Sequence, residues 1–132
     1  TVVAERFLDR VYELTGVKPL IYMSASVARD TSYDWSNVSG SGYGLWVAQY
    51  LYKYYDVENG IHGYVDDPTL SSGDFGSWGR DVTIYQYTST GRLDGWSGNL
   101  DFNVFYGTRD DWKALASKVA RAAVSASKVV MA

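Results

Sequence analysis

Cysteine is absent from the 132 residues, which excludes a disulfide framework, a thiolate zinc site and thiol catalysis. Histidine occurs once, as His62 in a glycine-rich stretch, so a histidine triad or a multi-histidine metal centre would have to rest on one ring. Neither a metal nor an organic cofactor is expected. Basic residues do not dominate: 12 Lys and Arg face 15 Asp and Glu for a net charge of -3, and no basic cluster interleaves the aromatics, which argues against a nucleic-acid partner. No apolar run reaches the ~18 residues of a membrane-spanning helix, and no membrane partner is expected. The opening TVVAERFLDR carries neither an initiating Met nor a signal-peptide pattern and reads as the middle of a longer protein.

What the chain has in excess is aromatic side chains, 12 Tyr and 5 Trp among them. These supply core and also flat, amphipathic platforms of the kind that carbohydrate binding uses. The length suffices for one ordinary core. It is too short to close a β/α barrel, which usually needs ~200 residues or more. No repeat with a period of about 20 to 50 residues is present, so one domain, or part of one, is expected.

Val3, Phe7, Leu8, Val11 and Leu14 recur at helical spacing against Glu5, Arg6, Asp9, Arg10 and Glu13, which predicts an amphipathic helix. Gly16 is its expected C-cap, and Pro19 keeps it from resuming. Leu20 to Ser24 reads as a buried strand with Leu20, Tyr22 and Ser24 on one face. Ala25 to Gly42 reads as a polar loop with one short helix. In Tyr43 to Tyr50, Trp46, Ala48 and Tyr50 alternate with Leu45, Val47 and Gln49, so one strand face offers Trp, a small residue and Tyr. Leu51 to Asp81 is tyrosine-rich and then loop-like, with no amphipathic helix; Asp56, Glu58, Asp66, Asp67 and Asp74 read there as solvated charges. Thr108 to Asp111 resembles a capping box, followed by a helix whose face carries Trp112, Leu115, Ala116, Val119, Ala123 and Ala126 and should pack on the outside of the sheet.

The chain is organised around Val82 to Phe105. Val82, Ile84 and Gln86 alternate with Thr83, Tyr85 and Tyr87 as in a strand. Gly91, Gly95 and Gly98 punctuate a turn that Asn99 closes, and a second strand follows with Leu100 and Phe102 on one face and Asp101 and Asn103 on the other. Side by side, Asp and Asn at a strand end suit a sugar site; the plainer reading is a turn-closing Asp that caps a local N–H.

The ordered set Tyr22-x-Ser24, Trp46-x-Ala48-x-Tyr50, Gln86-Tyr87-Thr88 and Asp101-x-Asn103 resembles the C-terminal half of glycoside hydrolase family 25 lysozymes. The resemblance runs over nearly the whole chain. It implies an α/β fold, strands five to eight of a TIM-like irregular β/α barrel, with residues 1–132 forming a partial catalytic domain whose N-terminal half is absent. It implies further that the parent hydrolyses β-1,4 bonds between N-acetylmuramic acid and N-acetylglucosamine in peptidoglycan, as a bacteriolytic endolysin or autolysin. Asp101 would be the catalytic carboxylate of this half, stabilising the substrate's acetamido group or the oxocarbenium centre. Tyr22, Trp46, Tyr50, Gln86 and Asn103 would bind substrate.

The family's Asp-x-Glu acid ends an apolar strand, and no apolar strand here ends that way; the spacing recurs only in Asp56 and Glu58 within the tyrosine-rich loop. The fragment alone is therefore expected to be inactive, and the alternative is a non-catalytic wall-glycan-binding or interaction domain. Expected partners are peptidoglycan glycan strands and either the missing N-terminal half or a second copy of the chain. The expected place of action is extracellular or at the cell wall, with a phage-encoded protein residing in the host cytoplasm before lysis.

Overall fold

A computed structural model describes residues 1–55, 58 and 60–117. The expected loop charge Asp56 and the helical positions Val119, Ala123 and Ala126 lie outside the described residues. The chain divides into two compact units, one made of Thr1–Pro19 with Gly107–Ala132 and the other of Leu20–Tyr106.

In the first unit, α1 spans Val2–Thr15 and carries Leu8 buried. Gly16 ends it in the left-handed region at φ 72°, with its N–H donating to Tyr12 O at 2.8 Å, the conformation for which glycine has no steric penalty. The terminal helix of this unit, Arg109–Leu115, starts on Thr108. Thr108 Oγ1 accepts from Asp111 N–H at 3.2 Å and Asp111 Oδ2 accepts from Thr108 N–H at 2.8 Å, the reciprocal box that the sequence signals. Those hydrogen bonds hold the Asp111 carboxyl below its usual value, the Thr108 side chain contributing most.

The second unit is a five-stranded sheet. Its strands are β1 (Ile21–Ser24), β2 (Leu45–Ala48), β3 (Ile61–His62), β4 (Ile84–Arg92) and β5 (Leu100–Phe105). β4 is the hub. β2 pairs with its first half and β3 with its last residues, both parallel, while β5 runs antiparallel along it. β1 adds to β2 in parallel. β1 and β2 are joined by two short helices, α2 (Ala25–Arg29) and α3 (Ser36–Gly40), where the sequence predicts one. Ser24 caps α2, accepting from Val27 N–H, and just before α3 Asp34 accepts from Ser36 N–H at 2.9 Å in a local turn. With these elements in place, Arg109–Leu115 is α4. β3, at two residues, is too short to show a period and lies inside the stretch read as loop.

Alternation divides the sheet into two faces. Met23, Leu45, Val47, Tyr85, Tyr87 and Phe102 are buried and lie on one of them by register. Among its described residues, the segment between β2 and β4 has two 3-10 turns, Tyr52–Tyr54 and Gly76–Trp78, besides β3, and it is tied down by tyrosine hydroxyls. Tyr85 donates to Gln49 O at 2.8 Å. Tyr87 accepts from Val65 N–H at 3.1 Å and Tyr54 from Thr69 N–H at 2.8 Å. Burial pushes the Tyr85 phenol far above its usual value, as desolvation of a charged form requires. Further along, Phe75 is fully buried, with the Arg29 guanidinium 4.4 Å from its ring centre and that of Arg80 at 6.0 Å. Both arginines also donate to the loop backbone, Arg29 to Asp74 O and Arg80 to Ser71 O and Gly73 O.

Gly91, expected in the turn, instead lies within β4 opposite Leu100. The reason is steric: a Cβ at Gly91 would come within 2.6 to 2.7 Å of the Phe102 ring, so the residue is a close-approach glycine of a strand. Gly91→Ala is therefore expected to destabilise the protein by about 1–3 kcal/mol, as overpacking does. Gly40→Ala, in α3 with nothing within 4 Å of the added carbon, should cost nothing. Urea unfolding of the two variants checks this, and equal midpoints would contradict it.

Candidate functional site

Residues of β1, β2, β4 and β5 meet on the face opposite the buried one. Tyr22 pairs with Trp46 across β1 and β2, and Gln86 pairs with Ala48 on one side and Asn103 on the other. Tyr22, Trp46, Gln86 and Asn103 thus project to one side. Asp101, two residues before Asn103 in β5, shares that side. Tyr50 joins them from just past the end of β2.

The side chains form two linked hydrogen-bonded sets. The Tyr22 hydroxyl donates to Gln86 Oε1 at 2.8 Å, and the Tyr50 hydroxyl donates to the same oxygen at 2.6 Å. Trp46 Nε1 donates to Asn103 Oδ1 at 2.9 Å, and Asn103 Nδ2 donates to the backbone oxygen of Asp101 at 3.3 Å. The Tyr22 ring meets Trp46 edge-on at 5.3 Å. Tyr50 stacks on Tyr55 at 5.5 Å with the planes 11° apart. The result is a floor of polar groups with aromatic walls, and it is open: Tyr22 is 53% exposed and Tyr50 38%, whereas Gln86 beneath them is 3% exposed.

Ser89 is the residue that sequence reasoning misses. The register of β4 against β5 shifts between Gln86 and Thr88 and again between Thr88 and Gly91. Such bulges re-aim side chains, and here the Ser89 hydroxyl reaches the Tyr50 phenol. Simple alternation from Gln86 would have given that place to Thr88, which is instead fully buried. The run of Thr88, Ser89, Thr90 and Gly91, small and polar residues in an otherwise aromatic strand, is the signal that could have shown it.

Burial pushes the Tyr50 phenol above its usual value, the Ser89 hydrogen bond pulls it down, and the nearby Tyr22 and Asp101 push it up again. Asp101 thus lies close enough to Tyr50 to act on it electrostatically. Among the described residues no group of three or more His, Asp or Glu side chains is placed to hold a metal ion, and no helix is long and apolar enough to cross a membrane. A depression of about 420 Å³ beside α2, lined by Arg29, Asp30, Tyr33, Asp34, Gly76 and Ser77 among others, shares no residue with this face.

Comparison with known proteins relates the chain to a family. The model of the glycosyl hydrolases family 25 matches residues 1–96, a segment that contains Tyr22, Trp46, Tyr50, Gln86 and Ser89 and ends in the turn before β5. Lysozyme M1 of Streptomyces globisporus is 33% identical over 101 residues, covering 76% of this chain and 28% of that protein. The uncharacterised protein YegX of Escherichia coli is 28% identical over 116 residues, covering 86% of this chain and 33% of its own length. Among solved structures, the bacterial lysozyme from Streptomyces coelicolor superimposes with a TM-score of 0.52 at 28% identity, covering 86% of this chain and 44% of that one. The chain spans less than half the length of each of these relatives.

Two substitutions should move the Tyr50 phenol in opposite directions. Asp101→Asn removes a negative charge that disfavours the phenolate and should lower its pKa, whereas Ser89→Ala removes a donor to the phenolate and should raise it. A tyrosine-resolved NMR titration reads both, and shifts of the same sign would contradict the arrangement.

Proposed function

The chain belongs to the glycosyl hydrolases family 25, and on that premise we propose that it is the C-terminal half of a lysozyme domain that cleaves the β-1,4 bonds between N-acetylmuramic acid and N-acetylglucosamine in peptidoglycan. The observation that carries the proposal is the single open face on which Tyr22, Trp46, Tyr50, Gln86, Asn103 and Asp101 come together. Aromatic rings beside acceptors suit the apolar and hydroxylated sides of a sugar ring. On this reading the sheet is strands five to eight of a TIM-like irregular barrel, with β3 as a short addition. The protein acts at the cell wall, either from outside the cell or, for a phage lysin, on release from the host cytoplasm.

Glycoside cleavage needs an acid to protonate the leaving oxygen and a negative or polar group to stabilise positive charge at the anomeric carbon. Asp101 supplies the second: its carboxylate orients the substrate's acetamido group or faces the oxocarbenium centre. The acid comes from the N-terminal half of the barrel. Asp56 and Glu58 have the Asp-x-Glu spacing, but in the sequence they lie in the tyrosine-rich stretch after Tyr52–Tyr54 and not at the end of an apolar run, so they do not match the family's strand-end acid. The lack of a strand-end Asp-x-Glu is also what favours the second reading, a wall-glycan-binding domain that does not cleave.

In the complete protein, Asp101→Asn should fold normally yet slow peptidoglycan cleavage by roughly 10²-fold or more, the loss typical of a transition-state electrostatic contact. A wall-turbidity assay with circular dichroism checks both parts, and wild-type turnover would make Asp101 structural.

Among the described residues β1 and β5 each pair on one side only, and open strand edges invite pairing. The 132-residue chain by itself should therefore associate, through a second copy or with the N-terminal half when supplied, and should show little lysis. Light scattering with the same turbidity assay tests this; a stable monomer that lyses walls would refute the half-barrel reading.

A further inference from the structure

Gln86 sits in the middle of β4 with strands on both sides, is 3% exposed, and receives two hydroxyl protons on one oxygen. An amide oxygen has two lone pairs, and both are filled. A phenol has one proton, and Tyr22 and Tyr50 each spend theirs on that oxygen. We infer that Gln86 is a positioning residue, which does not itself touch sugar but turns both phenols so that their lone pairs face outward, making this face a receiver of hydrogen bonds from the N–H and O–H groups of an N-acetylated sugar.

The rest of the face agrees. The Ser89 hydroxyl lies near enough to Tyr50 to act on its phenol. Asn103 Oδ1 accepts from Trp46, and one of the two Nδ2 protons goes to the chain's own backbone. Trp46 Nε1 is spent in the same bond. What this face offers a ligand then includes three acceptors, the Tyr22 and Tyr50 oxygens and the Asp101 carboxylate, which when ionised only accepts, beside one Asn103 N–H. This face therefore takes the acetamido N–H and ring hydroxyls of the sugar. The inference rests on the lysozyme reading for its ligand, though the shared acceptor itself does not.

The test compares, in the complete protein, binding of an N-acetylglucosamine oligomer with that of the same oligomer carrying 2-acetoxy in place of 2-acetamido groups, which removes only the N–H donors. Trp46, edge-on to Tyr22, reports binding by fluorescence. Wild type should prefer the acetamido oligomer by roughly tenfold, the scale of one hydrogen bond. Gln86→Met, of similar volume but without the acceptor, should lose most of that preference, and the carbon NMR signals of the Tyr22 and Tyr50 phenol Cζ atoms should shift together. The double variant Tyr22→Phe with Tyr50→Phe keeps the buried glutamine and should lose the preference too, which covers a Gln86→Met protein that fails to fold. Undiminished preference in either variant, or Cζ signals that do not move together in a folded Gln86→Met, would overturn the inference. A wild type that binds neither oligomer, with Cζ signals that still move together, would overturn the sugar assignment and the lysozyme reading while leaving the shared acceptor standing.

Discussion

Strand β4 is held along both edges, by β2 and β3 on one side and by β5 on the other, and this double pairing is the constraint on which both faces of the sheet depend. A one-residue slip would send Tyr85 and Tyr87 outward and bring Gln86 into the apolar side. The buried side resists that slip because Tyr85, Tyr87 and Phe102 are all within it. The two register shifts then act locally: they keep Tyr87 and Thr88 buried and bring Ser89 round to Tyr50. Packing on one face thereby sets the aim of polar groups on the other.

Much of this was legible because it rests on short-range rules. The helical spacing of Val3, Phe7, Leu8, Val11 and Leu14, ended by Gly16, gave α1; Thr108 and Asp111 marked the start of α4; period-2 alternation gave β1, β2, β4 and β5. The shared face of Tyr22, Trp46, Gln86, Asp101 and Asn103 followed from the same parity once the strands were in register. What stayed hidden depends on contacts far apart in sequence. Gly91 looked like a turn residue because nothing local says that the Phe102 ring will lie over it. β3 is two residues of ladder that exist only because β4 extends to receive them. Ser89 was lost because a bulge breaks the parity from which the rest was read.

The segment between β2 and β4 shows how a chain can hold a long connection with no α-helix among its described residues. A loop of this length laid on a sheet carries backbone groups that must find partners, at a cost of about 1–3 kcal/mol for each buried one that does not. Here the partners are side chains: Tyr85 takes a proton acceptor from the loop at Gln49, while Tyr87 and Tyr54 accept from Val65 and Thr69. Arg29 and Arg80 satisfy the carbonyls around Phe75. The abundance of tyrosine is thus in large part structural, since a buried phenol fills apolar volume and still reaches a polar atom.

The same residue type behaves differently on the opposite face, and the difference lies in what each hydroxyl meets. Tyr85 and Tyr87 are closed off by backbone and are fully buried. Tyr22 and Tyr50 converge on one amide oxygen and keep their outer sides open. Had a lysine or arginine stood at Gln86, both phenols would have become acceptors toward it, with their protons facing outward; a glutamine oxygen reverses that polarity. One side chain at the centre of the central strand therefore sets where both phenol protons point, and the Asp101 carboxylate adds a further acceptor on the same side of the sheet.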